Sequence, residues 1–130
     1  MSEERAVRYT LTGVVQLLVA IPAVGGGAAL IADPSGGLMG LSLDLLEGSP
    51  LGDYLISGLF LLVIVGLGHF MGAWLVFRGH PLGGPGAVVL GVILVTWIVI
   101  QVAWIGLSIW LQPLYLAVGI AETVLGMRIS

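Results

Sequence analysis

The sequence has no cysteine, no lysine and few charged residues of either sign. The missing cysteines exclude disulfides, thiolate metal sites and thiol catalysis. Charged residues make up 8% of the 130 residues, whereas ordinary soluble domains carry about 25%. The net charge of −3 and the lack of a basic cluster argue against a nucleic-acid partner.

The residues that are present are mostly apolar, with 58% hydrophobic residues and a mean hydropathy of +1.16. A soluble protein this apolar could not cover its surface with polar groups. The composition therefore predicts an integral membrane protein whose partner is the lipid bilayer, and residues 1–130 are short enough to form a single transmembrane domain.

Motifs of catalysis and metal binding are also missing. The sequence contains no Gly-x-Ser-x-Gly, no phosphate-binding loop and no His-Glu-x-x-His. Two histidines, His69 and His80, are too few and too far apart to supply a four-ligand zinc set. We therefore expect no enzymatic activity, no metal and no cofactor.

Four apolar segments cover about residues 7–32, 54–77, 86–107 and 113–127. A membrane span needs about 20 apolar residues, so the fourth segment is short. Backbone groups in hydrocarbon must bond internally, which predicts helices. The expected fold is all-α, an integral membrane four-helix bundle. Within the first segment, Pro22 and the glycine run 25–27 predict a kink or a locally loosened helix.

The arginines predict the orientation. Arg5 and Arg8 precede the first segment, Arg78 lies between the second and third, and Arg128 follows the fourth, while the other two loops contain no basic residue. The positive-inside rule then places both termini in the cytoplasm, with the protein in the cytoplasmic (plasma) membrane.

The long outer loop, residues 33–53, is itself apolar. Two sets of residues recur at helical spacing: Leu38, Leu41, Leu45 and Met39, Leu43, Leu46. We expect a short helix that lies in the outer interface or folds back over the bundle. The alternative is an irregular hydrophobic loop.

Three polar residues, Gln16, His69 and Glu122, interrupt three different spans. At about 1.5 Å per residue they lie roughly 12, 13 and 9 Å from the nearest arginine, which predicts one layer in the inner half of the membrane. An ionisable group in hydrocarbon costs about 2.5–3.5 kcal/mol and is a functional-site hypothesis by default. Glu122 and His69 could share one proton. Alternatively, Glu122 is simply protonated, or it is held by His69, Gln16 or Thr123 to fix helix register, or it reaches the inner interface.

Two functions fit these patterns. The first is a non-catalytic accessory or structural membrane protein, as a homo-oligomer or as a subunit of a larger membrane complex. The second is a small proton-coupled transporter or channel that uses Glu122 as the proton carrier, His69 as the relay or orienting partner, and Gln16 in the same layer. The alternative mechanism is a passive polar lining for an ion or a small solute.

The loop "DPSGGLMGLSLDLLEGSPLGDYLISGLFLL" resembles a widespread family of small, uncharacterised prokaryotic membrane proteins with four spans. The matching elements are residues 33–36, 40–41, 49–50, 53–56 and 58–60, with Ser57 where the family pattern usually has proline. The resemblance implies a four-span topology in which the outer loop is a defining element. It implies no activity.

A shorter segment, "GIAETVLG" at residues 119–126, is similar to the carboxylate segment in the first span of small multidrug-resistance transporters. That similarity implies, by analogy of mechanism, a carboxylate that carries a proton. Here the glutamate lies in the last span, and the long outer loop has no counterpart.

Overall fold

The computed structural model describes residues 3–47, 49–105 and 111–129, and these residues form an all-α fold, as predicted. Its four long helices are α1 (Glu3–Ala32), α2 (Leu55–Phe77), α3 (Gly83–Ile105) and α4 (Leu111–Ile129). They overlap the four apolar segments of the sequence. The predicted end of the third segment, at residue 107, lies outside the described residues. Among the described residues, α1, α2 and α3 are long and apolar enough to cross a membrane.

A heptad repeat organises the burial of α1. Tyr9, Gln16, Ala23 and Leu30 follow one another at intervals of seven residues and all are buried, with a second buried row between them. This alternation of three- and four-residue steps is the seam of helices that pack nearly parallel or antiparallel. α1 is helical throughout, including Pro22 and the glycines that follow it.

The helices form two antiparallel hairpins, α1 with α2 and α3 with α4. α1 also packs along α4, and α2 along α3, so that α2 and α4 lie diagonally across the bundle. Glycines allow the closest approaches: a Cβ at Gly27 would lie 2.6 Å from the backbone nitrogen of Leu62. Small residues at such crossings are the main way in which apolar helices associate in a membrane.

Helix α2 changes its hydrogen bonding along its length. Residues Leu55–Leu59 and Gly68–Phe77 are α-helical, but Phe60–Leu67 form a π-helical stretch. No pattern in the sequence predicts this change. π-helical turns are uncommon and occur often at functional sites, and this one ends two residues before His69.

The outer loop contains two short 3₁₀ turns, Gly37–Met39 and Leu43–Leu46, in place of the one amphipathic helix that we expected. Gly36 and Gly40 adopt positive φ angles of 82° and 69°, which end any continuous helix there. The loop does fold back over the bundle, since Leu46 is buried against Leu30 and Tyr54. Leu38, Met39 and Leu43 of the two predicted apolar sets are exposed instead.

The two ends of the bundle differ in their side chains. We call one the arginine end, where Tyr9, Val76 and Ile129 pack together and bring the arginine-bearing ends of α1, α2 and α4 side by side. The Tyr9 hydroxyl donates to the Ile129 carbonyl oxygen at 3.3 Å. The other is the loop end, where loop 33–54 covers the bundle.

Candidate proton site in the bundle core

His69 and Glu122 meet in the centre of the bundle. The His69 Nε2 atom lies 2.9 Å from Glu122 Oε1, and the two side chains are 1% and 0% exposed. Because α2 and α4 are diagonal neighbours, this contact crosses the bundle interior. Full burial also rules out, for this structure, the expectation that Glu122 reaches the inner interface.

The other ring nitrogen of His69 fixes the number of protons in the pair. Nδ1 lies 2.6 Å from the carbonyl oxygen of Val65. A carbonyl oxygen only accepts hydrogen bonds, so Nδ1 must carry a hydrogen. One further proton then serves the contact with Glu122, either on Nε2 as an imidazolium beside a carboxylate or on Glu122 as a carboxyl beside neutral imidazole. In addition to the hydrogen on Nδ1, the pair thus holds one proton, which can reside on His69 Nε2 or on Glu122.

Gln16 occupies the same layer as this pair. The contacts of Tyr9 with Val76 and Ile129 set the register of α1 against its two antiparallel neighbours. Gln16 follows Tyr9 by seven residues, and His69 and Glu122 precede Val76 and Ile129 by seven, so each is two turns further into the bundle. Gln16 is fully buried, and a Cβ at Gly72 would lie 2.9 Å from its Nε2 atom.

Polar atoms in this layer are left without hydrogen-bond partners. Within the described part of the chain, these atoms are Gln16 Oε1, Gln16 Nε2 and Glu122 Oε2. Each such buried group costs about 1–3 kcal/mol, and in native proteins they call for a specific explanation such as a bound water, an ion or a chemical role. The layer therefore leaves one amide group and one carboxyl oxygen unpartnered beside the His69–Glu122 contact.

Neighbouring hydroxyl groups do not engage Glu122. The Thr123 hydroxyl donates to the Gly119 carbonyl oxygen at 2.8 Å, so the expectation that Thr123 holds Glu122 is wrong in this structure. The buried Thr12, one turn from Gln16 towards the arginine end, donates to the Arg8 carbonyl oxygen at 2.8 Å.

Towards the loop end the site is closed by a purely apolar cluster of Val19, Ala23, Val65 and Leu94. Val65 therefore belongs to two environments, because its side chain lies in this cluster and its carbonyl oxygen accepts from His69. The sequence could not reveal the contact between the His69 ring and the Val65 carbonyl oxygen. The glycines near His69 in the sequence, Gly68 and Gly72, are typical of a helix face that packs closely against a neighbouring helix.

Among residues 3–47, 49–105 and 111–129, no group of three or more His, Cys, Asp or Glu side chains is placed to hold a metal ion. His80, the second histidine, is exposed in the turn between α2 and α3, where its Nδ1 accepts from the Leu82 N–H at 3.0 Å.

A second polar contact lies nearer the loop end. Gln112 Nε2 donates to Gln101 Oε1 at 3.4 Å, joining α4 to α3. Counted along the helices, both residues lie further from the arginines than His69 and Glu122 do.

Searches against protein-family models, curated proteins and solved structures found no match to this chain. The resemblance of its loop to a family of four-span membrane proteins stays a prediction.

Proposed function

We propose that this chain is a small, non-catalytic, multi-pass membrane protein that carries a proton on the His69–Glu122 pair and couples it to the passage of a solute or ion. The observation that carries the proposal is the buried 2.9 Å contact beside unpartnered atoms of Gln16 and Glu122. If the polar side chains served only to fix the register of the helices, all their hydrogen bonds should be satisfied. A buried polar network that is only partly hydrogen-bonded is less stable than an apolar core.

The proposal needs a membrane-embedded bundle with four spans. Helix α4 has 19 residues, or roughly 28 Å at 1.5 Å per residue, close to the hydrocarbon thickness of a bilayer. The arginines flank the same end of the bundle, which the positive-inside rule assigns to the cytoplasm.

Cysteine labelling tests this topology, because the chain has no cysteine of its own. Leu38→Cys lies in the loop and His80→Cys in the turn between α2 and α3, and both positions are exposed. With a membrane-impermeant maleimide on intact cells, we expect Leu38→Cys to react and His80→Cys to react only after permeabilisation. The reverse pattern would contradict the proposed orientation.

In the proposed mechanism Glu122 is the proton carrier and His69 the relay. A guest that binds Glu122 Oε2 competes for the electron density of the carboxylate and so shifts the shared proton towards His69. Release of the guest returns the proton to Glu122. Gln16, at the same level, orients the guest through its amide.

Glu122→Gln tests the mechanism with little change of shape. A glutamine amide can still donate to His69 Nε2, but it can neither accept nor release a proton. In proteoliposomes with an imposed pH gradient, we expect proton flux in the wild-type chain and its loss in Glu122→Gln. Glu47→Gln, which removes an exposed loop carboxylate, is the matched control and should keep full flux. Equal flux in the wild-type chain and Glu122→Gln would contradict the proposal.

The second candidate is an accessory or structural protein of a larger membrane assembly. The apolar cluster of Val19, Ala23, Val65 and Leu94 favours it, since it closes the polar layer on the loop side. This role predicts no flux in any variant, and native mass spectrometry of the purified chain should then show a stable oligomer or a bound partner.

A further inference from the structure

A cavity of about 240 Å³ lies between the helices and the outer loop at the loop end. Leu41, Leu45 and Leu46 of the loop form one wall, and Leu61, Leu94 and Trp97 are among the helix residues opposite. Trp97 stacks on Phe60 with ring centroids 4.5 Å apart, and this contact restrains the Trp97 ring. The cavity is therefore preformed.

The chemistry of the lining restricts what can enter. All the described residues that line the cavity are uncharged. Three of the four acidic residues nearby in sequence, Asp44, Glu47 and Asp53, are exposed instead. An ion would lose its hydration in such a cavity without gaining a partner, which is strongly unfavourable. Charged ligands are thus excluded.

A few polar groups interrupt the apolar wall. Gln101 and Gln112, which bond each other, and Tyr115, one turn further along α4, all line the cavity. A ligand with one hydrogen-bonding group could be oriented by these side chains, while the rest of its surface meets leucine and tryptophan. This mixture of an apolar lining and a few polar groups is typical of small-molecule sites.

The volume sets the size of the ligand. An apolar cavity of about 150 Å³ accommodates benzene. In proportion, 240 Å³ accommodates about ten non-hydrogen atoms. We propose that this cavity is a binding site for a neutral, mainly apolar ring or chain of about that size, supplied either as a free small molecule or as part of a lipid tail. The proposal does not depend on proton exchange at His69.

Two neighbouring glycines of α1 provide a test and its control. Gly26 lines the cavity, and a Cβ there would lie 3.4 Å from the flexible ends of Leu61 and Met39, whereas a Cβ at Gly25 would meet nothing within 4 Å. Gly26→Leu therefore fills the cavity, and Gly25→Leu makes the same chemical change on an open surface. Both replacements favour the helix, because leucine is a better helix former than glycine.

The probe is 1-fluoronaphthalene, followed by ¹⁹F NMR with the full chain in lipid nanodiscs. We expect a saturable second resonance that is absent from empty nanodiscs, with unchanged affinity in Gly25→Leu and affinity weaker by about tenfold or more in Gly26→Leu. A negatively charged fluorinated analogue, 4-fluoronaphthalene-1-sulfonate, should give no saturable second resonance. Magnetisation transfer between the bound probe and the Trp97 ring in the wild-type chain locates the site without any variant.

Native mass spectrometry distinguishes the two sources of the ligand. A lipid that stays with the wild-type chain and Gly25→Leu but leaves Gly26→Leu identifies a lipid tail as the occupant and supports the site. Saturable naphthalene binding without a retained lipid identifies a free small molecule. The proposal is overturned if neither is found, if the two glycine variants behave alike, or if the bound probe contacts no part of Trp97.

Discussion

At the arginine end, the heptad positions of α1 hold Tyr9 and Gln16, and at the loop end they hold Ala23 and Leu30. The first pair belongs to the polar half: the Tyr9 hydroxyl donates to the Ile129 carbonyl oxygen, and Gln16 lies level with His69 and Glu122. The second pair lines a cavity of about 240 Å³. One repeat thus supports a tightly packed polar half and a loosely filled apolar half.

This contrast separates two tasks within one small bundle. Removing buried atoms or adding bulk is costly where packing is tight and cheaper where space exists. We therefore expect the arginine-end half to dominate stability and the loop-end half to tolerate change. The following predictions test that division. They begin with the largest effect, set beside its counterpart at the loop end, and end with the smallest.

The largest loss of stability is expected from His69→Leu, because it leaves the fully buried Glu122 without its partner. Breaking a buried pair costs about 3–5 kcal/mol, and the low end applies here since the remaining proton can keep Glu122 neutral. Unfolding in SDS, followed by circular dichroism, measures the loss of unfolding free energy. The double variant His69→Leu/Glu122→Leu should recover most of the loss.

Gln101→Leu is the loop-end counterpart of that change. It removes the 3.4 Å contact with Gln112, and interhelical hydrogen bonds in membranes contribute about 0.6 kcal/mol on average. Comparable losses for His69→Leu and Gln101→Leu would contradict the division between the two halves.

Gly91→Ala should destabilise the α3–α4 hairpin by about 1–3 kcal/mol, the usual cost of overpacking. A Cβ at Gly91 would clash with Thr123 Oγ1 and lie 2.8 Å from the Gly119 carbonyl oxygen and the Thr123 nitrogen. Backbone atoms cannot move aside as a side chain can. Gly86→Ala on the same helix meets nothing within 4 Å, and we expect it to be neutral or stabilising by up to about 1 kcal/mol. Equal melting temperatures for the two variants would be inconsistent with this packing.

Tyr54→Phe should loosen the loop without affecting the polar layer. The Tyr54 hydroxyl donates to the Ser42 carbonyl oxygen at 2.6 Å, and burial raises the pKa of this phenol. Losing the bond costs about 0.5–1.5 kcal/mol. Amide hydrogen exchange should accelerate in residues 41–46 and stay unchanged near Gln16. Acceleration in both regions would show that the two halves are not separate.

The smallest effect concerns the exposed start of the loop. The Ser35 hydroxyl donates to Asp33 Oδ1 at 2.6 Å and holds the pKa of Asp33 below its ordinary value. Because the folded-state pKa is lowered, this bond stabilises the folded loop at any pH above the ordinary pKa of an aspartate. The contribution disappears as the pH falls through the folded-state pKa. Ser35→Ala should raise the Asp33 pKa in an NMR titration and leave the global unfolding midpoint unchanged. An Asp33 pKa that is the same in Ser35→Ala and the wild-type chain would contradict this role of the Ser35 hydroxyl.

The four helices and the polar layer follow from the sequence because both depend on spacing along the chain. Apolar segments near span length predict the helices, and counting residues from the arginines places Gln16, His69 and Glu122 at similar depth. Contact between His69 and Glu122 could not be predicted, since depth says nothing about which face each helix turns inward.

The loop and the π-helical stretch escaped prediction for a different reason. The leucines at helical spacing in the loop suggested one helix, but Gly36 and Gly40 adopt positive φ angles and divide it into two turns. The π-helical stretch lies where α2 packs against α1 and where Gly27, Gly58 and Gly66 approach neighbouring backbone, and such packing is not written in the pattern of one helix. The cavity likewise results from how loop and helices meet.

The most direct measurement of the central claim is ¹⁵N NMR of the His69 ring in lipid bilayers, with Glu122→Gln as the comparison. If the pair shares one proton, Nδ1 carries a hydrogen in both proteins, held by the Val65 carbonyl oxygen. The Nε2 resonance of the wild-type chain is then displaced from that of a bare nitrogen, whereas in Glu122→Gln it is that of a bare nitrogen that accepts from the amide. A bare Nδ1, or the same Nε2 resonance in the two proteins, would contradict the shared proton.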